Sequence, residues 1–250
     1  APGLLALQAA LRASPGAQVT VVAPDQSQSA VGHRKTLYHP LRATEVTLSD
    51  GSPAHACDGS PADAIALALM GFVKQPVDIV VSGINQGANV GQDITYSGTV
   101  TASMEAALYH LPAIAISLDS YTEPHFKAAA AFAARLAPIV VVKGLPDLTL
   151  LNVNVPLGPV KGVQITRQGR RIYHDELVER MDPYGRPYFW IGGKRPTGNI
   201  EEEGTDLWAI AQGYISVTPI HLDMTSHRLL PELRTWGLDA PGDSRGDKPV

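Results

Sequence analysis

The chain has 250 residues, of which 44% are hydrophobic and 18% are charged, and its formal net charge is −4. That length supports a sizeable core, either as one domain with an extension or as two domains. A weakly acidic chain lacks the basic excess of proteins that bind a nucleic acid polymer or an anionic membrane surface. The longest apolar runs, 128–134 and 136–142, fall short of the ~20 residues of a membrane-spanning helix. The single cysteine, Cys57, excludes an internal disulfide and fits a reducing, cytoplasmic compartment.

Helices and strands alternate through the first 156 residues. The chain begins inside an amphipathic helix, whose apolar residues from Leu4 to Leu11 are spaced for one helical face. Further helices are predicted to begin at Ser60, Ser97 and Pro124, and strands at 18–23, 77–81, 113–118 and 149–155, with one or two edge strands within 36–48. This alternation predicts an α/β fold with a doubly wound, mainly parallel sheet. Because the opening helix of such a fold normally follows a strand, we expect a first strand to precede Ala1.

The pattern changes after Pro156. Segments 163–167 and 188–191 are predicted to be antiparallel strands around a turn at 182–185. A short helix from Gly204 and a strand at 214–219 follow. We therefore divide the chain into an α/β core, a β-rich C-terminal extension that supports oligomerisation, and a polar disordered tail, with the ranges 1–156, 157–240 and 241–250.

The segment 82–93, rich in glycine and amide side chains, follows a predicted strand of the core. It offers the side-chain oxygens of Asn85 and Asp93, and the loop after an earlier strand offers those of Asp25 and Ser29. Ligands of open α/β sheets bind beyond the carboxyl ends of the strands, where both segments are expected to lie. Such hard oxygen donors suit one divalent cation, namely Mg²⁺, Mn²⁺ or Ca²⁺.

Three residues at a predicted helix start, Ser97, Gly98 and Thr99, form a candidate phosphate site. Ser97 is a natural N-cap, and Gly98 allows the backbone to come close to a ligand. The free N–H groups of a helix start favour an anion such as phosphate. An anion site close in sequence to metal-binding oxygens suggests phosphoryl chemistry.

Each part of this site also has a purely structural interpretation. Ser97 can serve as an N-cap alone, while Asn85 and Asn89 can be turn residues that accept left-handed backbone geometry. Asp25, which follows a proline, is typical of a turn as well. From these residues alone the core is an anion-binding α/β domain with a candidate hard-metal site, and its substrate stays open.

A set of short motifs is distributed along the chain, namely Val22–Asp25, Gln28–Ala30, Gly59–Asp63, Ser82–Gly91, Ser97–Val100 with Glu105, Asn152–Pro156, Thr166–Gln168, Asp182–Pro183, Gly204–Asp206 and Gly213–Pro219. These motifs resemble those of the SurE family, the stationary-phase survival nucleotidases. They occur in the family's order and cover nearly the whole chain.

The resemblance implies a metal-dependent phosphatase that hydrolyses nucleoside 5′- and 3′-monophosphates, with some members also acting on short polyphosphate. It implies a Rossmann-like N-terminal half that uses one divalent cation. It also implies a β-rich C-terminal arm that builds homodimers or homotetramers.

By motif position, Ser29 and Asn85 correspond to two of the family's metal ligands. The other two ligands are adjacent aspartates in an Asn-Asp-Asp-Gly motif after the family's first strand. This motif does not occur in the sequence, and we expect it to lie before Ala1. The turn 97–99 would hold the phosphate, and no residue of this sequence is identified as the catalytic nucleophile or general acid.

Two alternatives stay open beside the nucleotidase. A non-catalytic nucleotide- or phosphate-binding module would use the helix start without metal chemistry. A broad-specificity acid phosphatase would differ only in its substrates. The preferred nucleotide and the choice between 5′ and 3′ esters are also open.

Overall fold

A computed structural model describes residues 2–122 and 125–238. The elements in chain order are α1 (Pro2–Arg12), β1 (Val22–Pro24), β2 (Ala43–Thr47), β3 (Pro53–Cys57), α2 (Pro61–Leu67), β4 (Val80–Gln86), α3 (Gly98–Leu108), β5 (Ala113–Leu118), α4 (Lys127–Lys143), β6 (Thr149–Val155), β7 (Val163–Ile165), β8 (Arg171–Met181), β9 (Pro187–Gly198), α5 (Asp206–Ala211), β10 (Ile215–His221) and α6 (Leu230–Leu233). Short 3-10 or π-helical turns occupy 68–72, 91–95 and 234–236.

The main sheet has the strand order β4-β5-β6-β10-β7. Strands β4, β5 and β6 are parallel, β10 is antiparallel to β6, and β7 is parallel to β10. Among the described residues, β1, β3 and β2 form a second sheet, in which β1 and β3 are parallel. The predicted α/β fold with a mainly parallel sheet is confirmed.

Strand β5 is buried on both faces because helices cover both sides of the sheet. Ile114 and Ile116 belong to the core that α1 and α4 close, and both are fully buried. Ala115, from the alternate face, belongs to a second core with Val100 and Met104 of α3. Full burial of such large apolar side chains stabilises a fold by about 1.5–3 kcal/mol each. The continuous apolar run of β5 is therefore what a central parallel strand needs.

Several boundaries agree with the sequence predictions. Strands β5 and β6 have the predicted ends, and Ser97 and Thr205 accept hydrogen bonds as N-caps of α3 and α5. Helix α4 begins at Lys127, whereas its predicted start, Pro124, lies outside the described residues. The predicted tail 241–250 also lies outside them.

The predicted loop after the strand at 77–81 is wrong in its first part. Strand β4 continues to Gln86, and its pairing with β5 shifts in register between Ser82 and Asn85. At Gly83, where φ is +134°, a Cβ atom would collide with the carbonyl oxygen of Ile116. Glycine at this position therefore permits the backbone to stay in the sheet, and Asn85 lies at a strand end rather than in a loop.

The predicted pairing in the extension is also wrong. The turn at 182–185 joins the long strands β8 and β9, whereas β7 pairs with β10 inside the main sheet. We call this β8–β9 hairpin, residues 171–198, the arm. Its charged and apolar residues lack a buried face, since nearly all of them are exposed. The pattern of alternation that normally identifies a strand is therefore weak here.

Asp63 joins the start of α2 to the segment that precedes β2. Its carboxylate accepts hydrogen bonds from the N–H of Ser60 (2.9 Å) and from the N–H and hydroxyl of Thr36 (2.9 and 2.8 Å). The Ser60 hydroxyl accepts in return from the Asp63 N–H, which completes a capping box. Burial raises the pKa of the Asp63 carboxyl, but these hydrogen bonds outweigh burial and hold its pKa below the ordinary value.

Asp63→Ala is expected to lower the free energy of unfolding at pH 7 by about 2–4 kcal/mol, because buried donors lose their acceptor. A carboxyl with a lowered pKa stabilises the fold fully above its unfolded pKa of about 4, and this contribution is lost as the pH falls through the folded pKa. Urea unfolding at pH 7 and pH 3 should therefore show a smaller difference between wild type and variant at pH 3. An equal difference at both pH values would contradict an ionised cap.

Candidate phosphate and metal site

Buried amides hold the glycine loop, residues 87–91, that follows β4. Asn154 Oδ1 accepts from the Asn89 N–H at 2.7 Å, and the side-chain amides of Asn152 and Asn154 donate to the Asn89 carbonyl at 2.8 and 2.9 Å. Asn89 Nδ2 donates to the hydroxyl of Ser117 at 2.7 Å. All four residues are buried, so Asn89 fixes the loop to β5 and β6 rather than facing a ligand.

Asp206, at the start of α5, holds the far end of the glycine loop. Its fully buried carboxylate accepts from the N–H groups of Gly91 (2.9 Å), Gly169 (2.8 Å) and Leu207 (2.8 Å). Burial raises the pKa of the Asp206 carboxyl, and the three N–H donors act in the opposite direction. One side chain of the C-terminal extension thus fixes the backbone of the loop.

Asp93 is engaged by the base of the arm. Its carboxylate oxygens bind Arg171 Nε at 2.6 Å and the hydroxyl of Tyr173 at 2.7 Å. Burial together with the hydrogen bond to Asp93 raises the pKa of Tyr173 to about 12. Since both oxygens have close partners, the interpretation of Asp93 as a metal-binding oxygen is not supported by its contacts.

The side-chain amide of Asn85 is oriented by the loop that follows it. Asn85 Nδ2 donates to the carbonyl of Gly87 at 2.8 Å and, more weakly, to that of Gln86 at 3.3 Å. Among the residues that the structure describes, none donates a hydrogen bond to Asn85 Oδ1. The half-buried amide therefore presents a fixed carbonyl oxygen at the carboxyl end of β4.

The start of α3 carries the predicted phosphate residues. The Ser97 hydroxyl accepts from the Val100 N–H at 3.2 Å and so caps the helix. Gly98 packs closely, because a Cβ there would lie 2.9 Å from Cγ of Pro61 at the start of α2. A side chain at Gly98 would therefore disturb the contact between the two helices, in addition to any effect on a ligand.

The segment that carries Ser29 is clamped onto the same helix start. Gly32 donates to the carbonyl of Tyr96 at 3.0 Å and accepts from the Thr101 hydroxyl at 3.1 Å. Three residues before Gly32, Ser29 is exposed to solvent. The structure thus brings the Ser29 segment against the turn 97–99.

A buried glutamate of α3 fixes the continuation of that segment. Glu105 binds His33 Nε2 and Lys35 Nζ, each at 2.8 Å, and its own side chain is 3% exposed. The hydrogen bond to Glu105 raises the pKa of the Lys35 ammonium. These two contacts restrict where the chain around Ser29 can move relative to α3.

Comparisons with known proteins identify relatives of the whole chain. The family model described as "Survival protein SurE" matches residues 1–175. The chain is 50% identical over 240 residues to a protein of Chloroflexus aggregans named 5′-nucleotidase SurE, and the match covers 94% of each. A protein of Geobacter sulfurreducens with the same name is 50% identical over 244 residues, covering 96% of this chain and 90% of that protein. The chain belongs to the SurE family.

A solved structure of the family has the same fold. The crystal structure of the SurE protein from Aquifex aeolicus superimposes with a TM-score of 0.79 at 38% identity, covering 94% of each chain. In the described residues of this SurE-family chain, no helix has the length and apolar character needed to cross a membrane.

The residues present suit part of a hard-metal site. Asn85 Oδ1 is an oriented oxygen to which no described residue donates, and the Ser29 hydroxyl is exposed on the segment that contacts the start of α3. Hard cations bind six or more oxygens, with carboxylates prominent among them. The described residues contain no group of three or more His, Cys, Asp or Glu side chains that could hold a metal ion. The two neutral oxygens would therefore need carboxylate ligands beside them.

Sequence reasoning missed most of the residues that support the site. Asn152 and Asn154 could have been found, since two amides at alternate positions of an otherwise apolar strand share a face. Asp206 lies 115 residues from the glycine that it binds, and the sequence indicates it only as part of a helix start and of a family motif. No local pattern indicates such a contact.

Proposed function

We propose that this SurE-family chain is a metal-dependent 5′-nucleotidase, which hydrolyses nucleoside 5′-monophosphates, and also 3′-monophosphates, to nucleoside and phosphate. The observation that carries the proposal is the identity of about 50% to 5′-nucleotidases over nearly the full length of both chains. The oriented oxygen of Asn85 at the carboxyl end of β4 and the N-terminal N–H groups of α3 support the proposal. Activity towards short polyphosphate is part of the same proposal.

The start of α3 would bind the phosphate of the substrate. Ser97 caps the Val100 N–H, whereas the N–H groups of Gly98 and Thr99 have no acceptor among the described residues. Such N–H groups, together with the helix dipole and the half-buried Thr99 hydroxyl, favour a phosphate dianion. Fixed donors of this kind also stabilise negative charge that develops on the phosphoryl oxygens.

Asn85 Oδ1 and Ser29 Oγ would hold the divalent cation, which is Mg²⁺, Mn²⁺ or Ca²⁺. When bound, the cation supplies polarisation of the phosphoryl oxygens and activation of water. Both ligands from this chain are neutral, so they add no negative charge against the incoming phosphate. The hydrogen bonds of Asn89 and Asp206 hold the glycine loop in one position.

The proposal is tested with purified full-length protein and a panel of substrates. We expect phosphate release from nucleoside 5′-monophosphates, loss of release with EDTA, and recovery with Mn²⁺ or Mg²⁺. A binding module would bind AMP in calorimetry and release no phosphate under any of these conditions. A broad-specificity acid phosphatase would release phosphate equally well from β-glycerophosphate, with a maximum at acid pH.

We also propose that the chain forms a homodimer or homotetramer through the arm. Leu177 and Ile191 are directly opposite each other on β8 and β9, with exposed fractions of 72% and 84%, and Trp190 is 64% exposed. Large apolar side chains that cluster on a surface indicate a protein–protein contact.

The proposed location is the cytoplasm, where the buried thiol of Cys57 stays reduced.

Ile191→Asp is expected to shift the assembly towards monomer, because a carboxylate would have to be desolvated in the contact. Light scattering coupled to size exclusion measures the mass, and the same substitution at Ile139, an exposed residue of α4, is the matched control. An unchanged mass for Ile191→Asp beside an oligomeric wild type would exclude this face of the arm.

A further inference from the structure

Tyr121 lies directly against the glycine loop. A Cβ atom built on Gly87 would be 2.5 Å from Cε1, 2.6 Å from Cζ and 2.7 Å from the hydroxyl of Tyr121. Gly87 also has φ of +103°, a conformation that side chains rarely adopt. The side chain of Gln86 donates to the Tyr121 carbonyl at 2.7 Å. The tyrosine ring is therefore held in contact with the backbone two residues after Asn85.

The same ring is approached by a cation from the arm. The guanidinium carbon of Arg195, on β9, lies 5.2 Å from the centre of the Tyr121 ring. The tyrosine is 56% exposed and the arginine is exposed. An aromatic ring and a guanidinium plane, both accessible to solvent, thus stand beside the loop that links the candidate metal and phosphate residues.

We propose that Tyr121 and Arg195 form the subsite that stacks the base of a nucleotide substrate. This inference rests on the proposed nucleotidase function and deepens it. A nucleotide whose phosphate lies at the turn 97–99 and Asn85 must place its base on a neighbouring surface. Tyr121 offers an aromatic face against Gly87, two residues after Asn85. The long, exposed side chain of Arg195 swings outward by about one ring thickness, roughly 3.5 Å, to cover the other face of the base.

Stacking of this kind predicts a particular selectivity. Every base has a π face, so an aromatic platform with a guanidinium cover accepts purines and pyrimidines without reading their hydrogen-bonding edges. The subsite would therefore favour nucleotides over phosphate esters that lack a base. It would discriminate little between bases, apart from the stronger stacking of purines.

The test compares AMP with ribose 5-phosphate, which has the same phosphate and sugar without the base. Tyr121→Ala is expected to raise KM for AMP by about tenfold and to leave KM for ribose 5-phosphate within about twofold of wild type. Tyr121→Phe, which keeps the ring, should resemble wild type for both. Arg195→Gln should raise KM for AMP more than that for ribose 5-phosphate.

Equal changes for both substrates would overturn the proposal, because Tyr121 would then only support the loop, or Arg195 would only attract phosphate. If Tyr121→Ala and Arg195→Gln both had the KM values of wild type, the proposal would be overturned as well. Thermal unfolding of each variant identifies a loss of fold.

Binding of adenosine separates this inference from the proposed function, since adenosine needs neither phosphate nor metal. Equilibrium dialysis should show weaker adenosine binding to Tyr121→Ala than to wild type and Tyr121→Phe. This result would support the subsite even if no phosphate were released from any substrate. The absence of phosphate release would overturn only the proposed nucleotidase activity. Equal adenosine binding by all three proteins would overturn the subsite alone.

Discussion

Asn85→Ala is expected to lower kcat/KM for AMP by about 100-fold, because it would remove a proposed ligand of the divalent cation. The lost oxygen has no hydrogen-bond donor in the described part of the chain, so its removal leaves no buried donor unpaired. The fold loses the hydrogen bond from Asn85 Nδ2 to the Gly87 carbonyl, which is worth about 1 kcal/mol. Activity should therefore fall much more than stability does.

A titration of phosphate release against Mn²⁺ identifies the cause of that loss. The alanine variant should need a higher Mn²⁺ concentration for half-maximal rate. Asn85→Asp keeps Oδ1 and adds a charge but loses the donor to the Gly87 carbonyl, and it should retain more metal affinity than Asn85→Ala. A wild-type Mn²⁺ dependence in Asn85→Ala would remove Asn85 from the metal site, whatever the change in rate.

Asp206→Ala is expected to have the largest effect on stability. The substitution leaves three buried N–H groups without an acceptor, at about 1–3 kcal/mol each before relaxation. We expect the free energy of unfolding to fall by about 3–5 kcal/mol, which corresponds to a Tm lower by roughly 10 °C for a chain of this size. Urea unfolding followed by circular dichroism measures the change.

Two further variants show whether Asp206 acts through the glycine loop. Glu203→Ala removes an exposed carboxylate three residues away and should leave both stability and activity unchanged. Asp206→Asn in the orientation that keeps the acceptor for Gly169 and Leu207 would place an amide N–H against the N–H of Gly91. It should therefore lower activity more than its loss of stability explains. A fully active Asp206→Asn would show that the Gly91 contact does not position the site.

The two predictions concern neighbouring parts of one region, since Asn85 lies near the end of β4 and Asp206 holds the loop that follows this strand. The turn 97–99 lies at the start of α3. Between Asn85 and this turn, Asn89 is bound to β5 and β6, and Gly91 is bound to Asp206. The entropy cost of ordering a glycine-rich loop is offset by these buried hydrogen bonds, which fix the backbone between the two proposed binding positions. A site that is rigid before its ligand arrives spends less binding energy on ordering.

Although nearly all residues of the arm are exposed, three of them contact residues next to the candidate site. Arg171 and Tyr173, at its base, hold Asp93 within the turn that precedes α3. Arg195 lies near the same base, on β9 between the partners of Ile172 and His174, and stands over Tyr121 at the glycine loop. A change in the position of the arm on assembly would therefore alter the contacts of both Asp93 and Tyr121.

The amino-acid sequence by itself determined the local elements of this protein. Ser60, Ser97 and Thr205 act as N-caps because their side-chain oxygens satisfy N–H groups three residues away, a contact that needs no distant partner. The apolar run of β5 likewise identifies a central strand, since burial on both faces leaves no polar alternation. The family resemblance, carried by contiguous motifs, led to the same fold and to Asn85 and Ser29.

Only the tertiary structure decided which polar residues support the loop and which face solvent. Asp206 and Gly91 are 115 residues apart, and Asn89 and Asn154 are 65 apart, so no sequence spacing relates them. The same holds for the end of β4, where Asn85 stays in the sheet because Ser117 of β5 pairs with it. Long-range hydrogen bonds depend on how the strands are ordered in space, and that order results from the packing of the whole core rather than from any one segment.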